Sequence, residues 1–347
     1  MVDNGKTLTI EDGGQLVHGN AGLTAMVKKE ITGVGNSWLS DNNGWHFIAS
    51  PIVAENGIDP EVISHLIGIN FDLYRLNGTR WENAKVDDED FVLENGTGYL
   101  YANKRTVSLR FSGELKLYSE ANGGNEVSVS AGWNLIGNPF VCSVYADRSF
   151  YKMNAEGTAV EAVENYAACP IAPCTGIVIN ATEAGTVTFT KGTQQQNANQ
   201  GSIQIALSQV VEPVETPSAK VGPSTSSTTL LDKAIVSFNE NAELPKFRYG
   251  DNTEIYIPQG NDDYAIAYSD KQGEMPLNFK AKEDSEYTLS FNLEGVEMDY
   301  LHLIDNMTGA DIDLLALRQA QGPASYSFKA TTQDDESRFK LVFAAKQ

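Results

Sequence analysis

The chain has 347 residues, with 25 Lys+Arg against 46 Asp+Glu and a formal net charge of −21 at pH 7. That length exceeds one ordinary domain of roughly 100–200 residues, and 41% hydrophobic residues against 20% charged supply enough apolar material for packed cores, which excludes a wholly disordered chain. The acidity opposes a phosphate backbone or an anionic membrane surface, and no apolar run approaches the ~18 residues of a membrane-spanning helix, so nucleic-acid binding and membrane insertion are set aside.

The chain begins with an alternating strand, Thr7-Leu8-Thr9-Ile10, then a turn at Asp12-Gly13-Gly14 and a second stretch, Gln15-Leu16-Val17. Met1 to Lys6 carry neither the basic nor the apolar region of a signal peptide. Strand, Asp-Gly-Gly and strand in succession have the look of a β-solenoid rung. Residues 1–33 are therefore expected to be strands from a truncated N-terminal element.

Between residues 34 and 196 the same pattern occurs twice. Gly44-Trp45-His46-Phe47-Ile48-Ala49-Ser50-Pro51 matches Gly132-Trp133-Asn134-Leu135-Ile136-Gly137-Asn138-Pro139. Leu73-Tyr74-Arg75-Leu76-Asn77 matches Phe150-Tyr151-Lys152-Met153-Asn154, and Thr97-Gly98-Tyr99-Leu100-Tyr101 matches Thr175-Gly176-Ile177-Val178-Ile179. Each copy closes on an alternating strand, through Val107, Leu109 and Phe111 or through Val187 and Phe189. Four features in one order define two repeats, residues 34–118 and 119–196, and imply a duplicated, pseudo-symmetric antiparallel β-domain.

Within the repeats, Trp45 and Trp133 read as core anchors of strands that stop at Pro51 and Pro139, where a ladder N–H is missing, rather than as sugar-stacking platforms. Gly98 and Gly176 read as a turn or bulge entering a strand buried on both faces. Trp38 and Trp81 stand in polar, turn-rich stretches; with Tyr99 and Tyr101 they are the aromatic candidates for a ligand surface. Pro60 to Ile67 is the one segment that suits a short helix or turn. The acidic run Asp87-Asp88-Glu89-Asp90 lacks the spacing of a calcium loop.

Cys142, Cys169 and Cys174 are too few for a disulfide scaffold and lack the spacing and nearby histidine of a zinc site. They read either as small buried apolar side chains or, for Cys142 and Cys174, as a disulfide formed in an oxidising compartment.

Residues 192–200 are rich in Gln and Asn, and residues 212–229 in Pro, Ser and Thr; both read as loops. Ser202-Ile203-Gln204-Ile205-Ala206-Leu207 opens a last domain, residues 197–347. In it Tyr287, Leu289 and Phe291, then Phe339, Leu341 and Phe343, alternate as strands of an immunoglobulin-like β-sandwich. Asp311 and Asp313 share one strand face with Asp305 across a turn, either a solvated hairpin tip or a loose Ca²⁺ site. Alternation dominates throughout, and the fold class is all-β.

Several runs resemble modules of large secreted or surface-exposed proteins of Bacteroidetes: Gly132-Trp133-Asn134-Leu135-Ile136-Gly137-Asn138-Pro139-Phe140, Leu93 through Asn103, Cys174-Thr175-Gly176 after a proline, and Tyr300 through Gly309 continuing to Phe343. The resemblance spans nearly the whole chain. It implies export, often by the type IX route, an extracellular or cell-surface location, and a β-rich region near the C-terminus of a longer protein, here without the terminal sorting domain. In such relatives Asp313-Leu314 leads directly to the strand at Tyr326-Ser327-Phe328, so Leu317-Arg318-Gln319-Ala320-Gln321-Gly322-Pro323 reads as an inserted, exposed loop.

No nucleophile–base spacing, metal-ligand pattern or phosphate-cradling loop occurs in the sequence, so neither catalysis nor a cofactor is expected. The function expected is a non-catalytic structural region that presents an upstream domain of an exported surface protein and is kept monomeric by its charge. Two alternatives stand beside it. One is an adhesion module for a glycan or host protein. The other is the tail of a β-helix polysaccharide-degrading enzyme with its catalytic rungs upstream.

Overall fold

The computed structural model describes residues 7–35, 43–60, 63, 70–86, 91–192, 200–211, 227–248, 250–321 and 323–346. The chain forms two compact units, Met1–Gln196 and Asn197–Gln347, and among the described residues strands dominate both, as the alternating pattern requires.

The first unit contains β1 (Leu8–Ile10), β2 (Thr24–Ile31), β3 (His46–Ala49), β4 (Ile52–Val53), β5 (Phe71–Asn77), β6 (Arg80–Asn83), β7 (Gly98–Asn103), β8 (Val107–Leu115), β9 (Glu126–Val129), β10 (Gly132–Gly137), β11 (Phe150–Met153), β12 (Val160–Val163), β13 (Gly176–Ala181) and β14 (Gly185–Thr188). One sheet runs β1-β2-β8-β4, with β1 parallel to β2 and β2 antiparallel to β8. The N-terminal strands are thus not a separate element. Ile10, Ala25, Val27 and Ile31 share one core cluster with Leu109, Phe111, Tyr99 and Tyr101. The physical reason is that β1 and β2 alone would leave their apolar face in water, and β8 supplies both a pairing edge and the side chains that cover it.

Two further sheets have the same strand order, first–fourth–second–third: β3-β7-β5-β6 and β10-β13-β11-β12. Their registers also agree. Phe47 opposes Leu100 as Leu135 opposes Val178, and Tyr74 opposes Leu100 as Tyr151 opposes Val178. In the following hairpins Arg75 faces Glu82 and Lys152 faces Glu161, with ion pairs of 2.6 and 3.6 Å. Trp45 packs on Tyr74 at 5.9 Å and Trp133 on Tyr151 at 6.1 Å, each pair at 58°.

The two sheets meet at a reciprocal seam. Ile48 bridges Thr175 while Ile136 bridges Thr97. The Ala49 amide donates to the Cys174 carbonyl at 3.2 Å, and the Gly137 amide donates to the Gly96 carbonyl at 2.9 Å. Contacts of the form i-to-j and j-to-i are those of an isologous, twofold interface, here built within one chain. The seam explains Gly98 and Gly176. A Cβ on Gly98 would stand 2.7 Å from the Ile136 carbonyl oxygen, and one on Gly176 would stand 3.2 Å from that of Ile48. These glycines are sites of close backbone approach between sheets, not bulges, although the strands they open are buried on both faces as expected.

The second unit contains β15 (Ser202–Val211), β16 (Ser227–Ser237), β17 (Leu244–Pro245), β18 (Glu254–Gln259), β19 (Asp262–Tyr268), β20 (Gln272–Lys280), β21 (Ser285–Glu294), β22 (Met298–Asp305), β23 (Ala310–Asp313), α1 (Leu314–Gln321), β24 (Ala324–Ala330) and β25 (Phe339–Ala345). Pairing follows the path β23-β22-β25-β20-β18-β19-β16-β15-β21-β24, antiparallel except where β16 meets β19. The path curls back on itself. Phe279 of β20 lies 5.1 Å from Tyr287 of β21 and 5.1 Å from Phe328 of β24, and Phe339 of β25 lies 4.9 Å from Phe328. Its two halves therefore pack face to face over a single core.

Three expectations for this unit need correction. Residues 212–226 lie outside the described residues, but 227–229 belong to β16 rather than to a loop. The element at 317–323 is mostly helix, because α1 starts at Leu314 and runs to Gln321. Asp313 Oδ1 caps it by accepting from the amides of Leu315 (3.0 Å) and Ala316 (2.9 Å), and Leu314, Leu315 and Leu317 turn into the core. Finally, Asp305 is no calcium ligand. It is buried against Arg338 at 3.0 Å and accepts from Tyr326 at 2.9 Å, while Asp311 pairs with His302.

Candidate functional site

At the seam of the first unit the two sheets line a half-open pocket of about 210 Å³. The start of β3 supplies His46 and Phe47. The hairpin from β11 supplies Phe150, Lys152, Met153, Asn154 and Ala155. The approach to β13 supplies Cys169, Pro170, Ile171, Thr175, Gly176 and Ile177, and Lys29 reaches in from β2. Phe47, Phe150, Ile171 and Ile177 are buried and form an apolar wall.

The polar groups are distinct in kind. Lys29 is ion-paired with Asp12 at 3.3 Å and Lys152 with Glu161 at 3.6 Å, and neither carboxylate lines the cavity. Asn154 is committed to its own hairpin, donating to Thr158 Oγ1 at 2.9 Å and accepting from the Thr158 amide at 2.8 Å. His46 Nε2 is buried and has no hydrogen-bond partner. Burial, reinforced by the Lys29 charge, holds the imidazole pKa below its usual value despite a hydrogen bond to the Thr32 backbone, so the ring is neutral near pH 7. Burial also pushes the Cys169 thiol up, with Lys152 opposing and Glu161 adding to the effect, which keeps it a thiol rather than a thiolate.

The register that relates the sheets shows why the cavity exists here. Leu93 bridges Ile58 as Ile171 bridges Val144, which places Phe91 opposite Cys169 and Tyr99 opposite Ile177 in the correspondence. In the first sheet Phe91 and Tyr99 are both buried, 5.8 Å apart, with the Arg75 guanidinium 5.3 Å over the Phe91 ring. The second sheet has a smaller side chain at each of those positions. The position of His46 is taken in the other copy by Asn134, which folds back on Ser130.

The residues singled out from the sequence are placed otherwise. Trp38 and the acidic run 87–90 lie outside the described residues, as does most of 60–67. Trp81 is half-buried on β6. Tyr99 and Tyr101 are each only 1% exposed, so they are core side chains and not a ligand platform. The Tyr99 hydroxyl accepts from the Glu94 amide (2.8 Å) and donates to the Val92 carbonyl (3.1 Å); burial pushes its pKa to about 12. Trp45 is buried and Trp133 half-buried, and Pro51 and Pro139 are buried where β3 and β10 stop. Asn95 Nδ2 ties these ends together through the carbonyls of Ser50 (3.1 Å) and Pro139 (3.0 Å).

Cys142 and Cys174 are free thiols in this structure, packed in different core clusters of the unit. Cys174 also holds a left-handed backbone, φ 58°, where the other copy has Gly96 at φ 87°. Sequence reasoning assigned no binding role to Lys29, His46, Lys152 or Cys169. The signal available was the difference between the copies, small residues in one where the other has aromatics.

Comparison with family models, with curated proteins and with solved structures finds no match. Among the described residues no helix is long and apolar enough to cross a membrane, and no group of three or more His, Cys, Asp or Glu side chains is placed to hold a metal ion.

Proposed function

We propose that this chain is a non-catalytic presentation region of an exported bacterial surface protein, a β-rich spacer that holds an upstream domain away from the cell surface. The observation that carries the reading is the reciprocal seam. It joins two sheets of equal topology through paired backbone hydrogen bonds at residues with no side-chain volume to spare, an arrangement suited to stiffness. The net charge of −21 favours a soluble, monomeric particle on a crowded surface. In a cell that displays the longer protein, replacing residues 1–347 by an unrelated β-sandwich of similar length should preserve display and activity of the upstream domain. Loss of that activity with display intact would overturn the reading.

A second reading, adhesion to a glycan or host protein, is favoured by a different place from the one expected. Tyr300 is 42% exposed and stacks on His302 at 4.1 Å beside Asp311 and Asp313. An aromatic face flanked by carboxylates suits a sugar ring or a lysine side chain. A glycan and extracellular-matrix screen with the purified chain decides between them. The spacer reading expects no saturable binding, and binding abolished by Tyr300→Ala would replace it.

A further inference from the structure

We propose that the seam of the first unit is also an interface between two copies of this chain. The first repeat of one copy, with the N-terminal strands that share its core, pairs with the second repeat of the other copy, and the reverse, so that the two chains exchange repeats and form a twofold dimer. Ala49 and Gly137 decide which repeats can meet. The inference goes beyond the spacer reading and does not depend on it.

The contacts of the seam are reciprocal. Ile48 bridges Thr175 as Ile136 bridges Thr97, and the amides of Ala49 and Gly137 donate to the carbonyls of Cys174 and Gly96. Identical subunits build an interface of this form about a twofold axis, and nothing in it requires both surfaces to belong to one chain. Each repeat also brings its own core. One cluster runs from Ile10 to Leu115 and takes only Val141 and Cys174 from the second repeat, and the buried members of the other all lie between Val129 and Phe189. Exchange therefore keeps each core and remakes the seam with the same residues.

The covalent crossing between the repeats is narrow. The Lys116 amide donates to the Pro51 carbonyl of the first repeat at 3.4 Å. Tyr118 is already anchored in the second. Its ring packs on Phe140 at 5.1 Å, its hydroxyl accepts from the Lys191 amide at 3.3 Å, and the Lys191 ammonium lies 4.2 Å from the ring centroid. Leu117 alone separates the two anchors, so the seam opens by turning the backbone there, with neither core unfolded. Short hinges of this kind are where domain exchange is found.

The seam also discriminates. A Cβ on Gly137 would overlap the Ala49 side chain. Pairing two first repeats would set Ala49 against Ala49 of the second copy at that point and is excluded, whereas Ala49 against Gly137 fits. Tethering gives the two repeats of one chain a roughly millimolar effective concentration. A dilute chain therefore closes on itself, and chains crowded to that density exchange.

The test uses two variants of the full chain, Ala49→Val and Gly137→Val. Each has one overfilled seam face and one native face, so neither alone can join unlike repeats properly, within a chain or between chains. Mixed, the native Ala49 face of one and the native Gly137 face of the other complete a seam. Light scattering after size exclusion should give each variant alone the 37.7 kDa of one chain. The equimolar mixture, refolded together from urea at roughly 0.5 mM, should give twice that mass and melt several degrees above either variant. No dimer in the mixture would overturn the exchange. A dimer of Ala49→Val alone, built from two second repeats, would overturn the selection of unlike repeats. Where either variant fails to regain the circular dichroism of the wild type, the wild-type chain refolded at roughly 1 μM and at roughly 1 mM decides. Monomer at the lower concentration and a slowly dissociating dimer at the higher support the exchange, and monomer at both overturns it.

Discussion

Gly137 is where the seam has least room. A methyl group there would overlap the Ala49 side chain outright and stand 2.8 Å from the Thr97 carbonyl oxygen. Ala49 occupies the matching position of the other copy, so one of the two residues can carry a Cβ but not both. In Gly137→Ala the strands must separate, which stretches the Gly137–Gly96 hydrogen bond of 2.9 Å and its counterpart from Ala49 to Cys174. Overpacking of this kind costs about 1–3 kcal/mol, and weakening a buried backbone hydrogen bond adds about 0.5–1.5 kcal/mol. The stiffer unfolded chain returns about 0.4–1 kcal/mol, leaving a net loss of roughly 0.5–4 kcal/mol.

Adding Ala49→Gly removes the overlapping side chain. The pair should then show a favourable coupling of about 1 kcal/mol or more, although each single change destabilises. All four tryptophans fall within Met1–Gln196, so thermal unfolding followed by tryptophan fluorescence reads this unit alone. The expected melting shift for Gly137→Ala is about 1–16 °C downward, from roughly 2–4 °C per kcal/mol for a unit of this size. Wild-type stability in Gly137→Ala, or strict additivity in the double variant, would refute the reciprocal packing.

Other outcomes follow from the second unit and the thiols. Burial would raise the Asp305 carboxyl, but hydrogen bonds from Arg338 and Tyr326 and the Arg338 charge outweigh it and hold the group below the ordinary aspartate value. Its contribution is therefore present above that ordinary value and lost as the pH falls through the depressed one. Asp305→Asn should lower the stability of this unit by about 3 kcal/mol at pH 7, with the deficit shrinking toward pH 2, as read by hydrogen exchange in β22 and β25. An undiminished deficit at low pH would show that packing, not the ion pair, is responsible. Under native conditions a thiol reagent should modify Cys169 first and Cys174 last, since Cys174 is 1% exposed and burial pushes its pKa to about 12. Mass spectrometry after unfolding should count three modified thiols without prior reduction, and two thiols missing would restore the disulfide.

Much of this architecture was legible in the linear chain because it rests on local periodicity. Alternation at Leu109 and Phe111, or at Leu289 and Phe291, commits those residues to strands whatever their partners, since a period of two has no other regular solution. The repeat was equally legible, because the Trp-x-x-Ile-x-x-Pro and Thr-Gly patterns recur in order. Even α1 had a local signal, Asp313 before a run of Leu, Ala, Arg and Gln, masked by the polarity of the run's second half.

What only the tertiary structure decided is what depends on residues far apart in sequence. Tyr99 and Tyr101 carry a hydroxyl that suits either surface or core, and they are interior because the β1-β2-β8-β4 sheet shares a core with their strand, a pairing of residues up to 90 positions apart. Gly98 owes its lack of a side chain to the Ile136 carbonyl, not to its own turn. The cavity is a difference between two copies, visible only after their strands are superposed by register. Local sequence sets which way each side chain points; the long-range pairing of the two sheets sets what each one meets, and therefore where space is left between them.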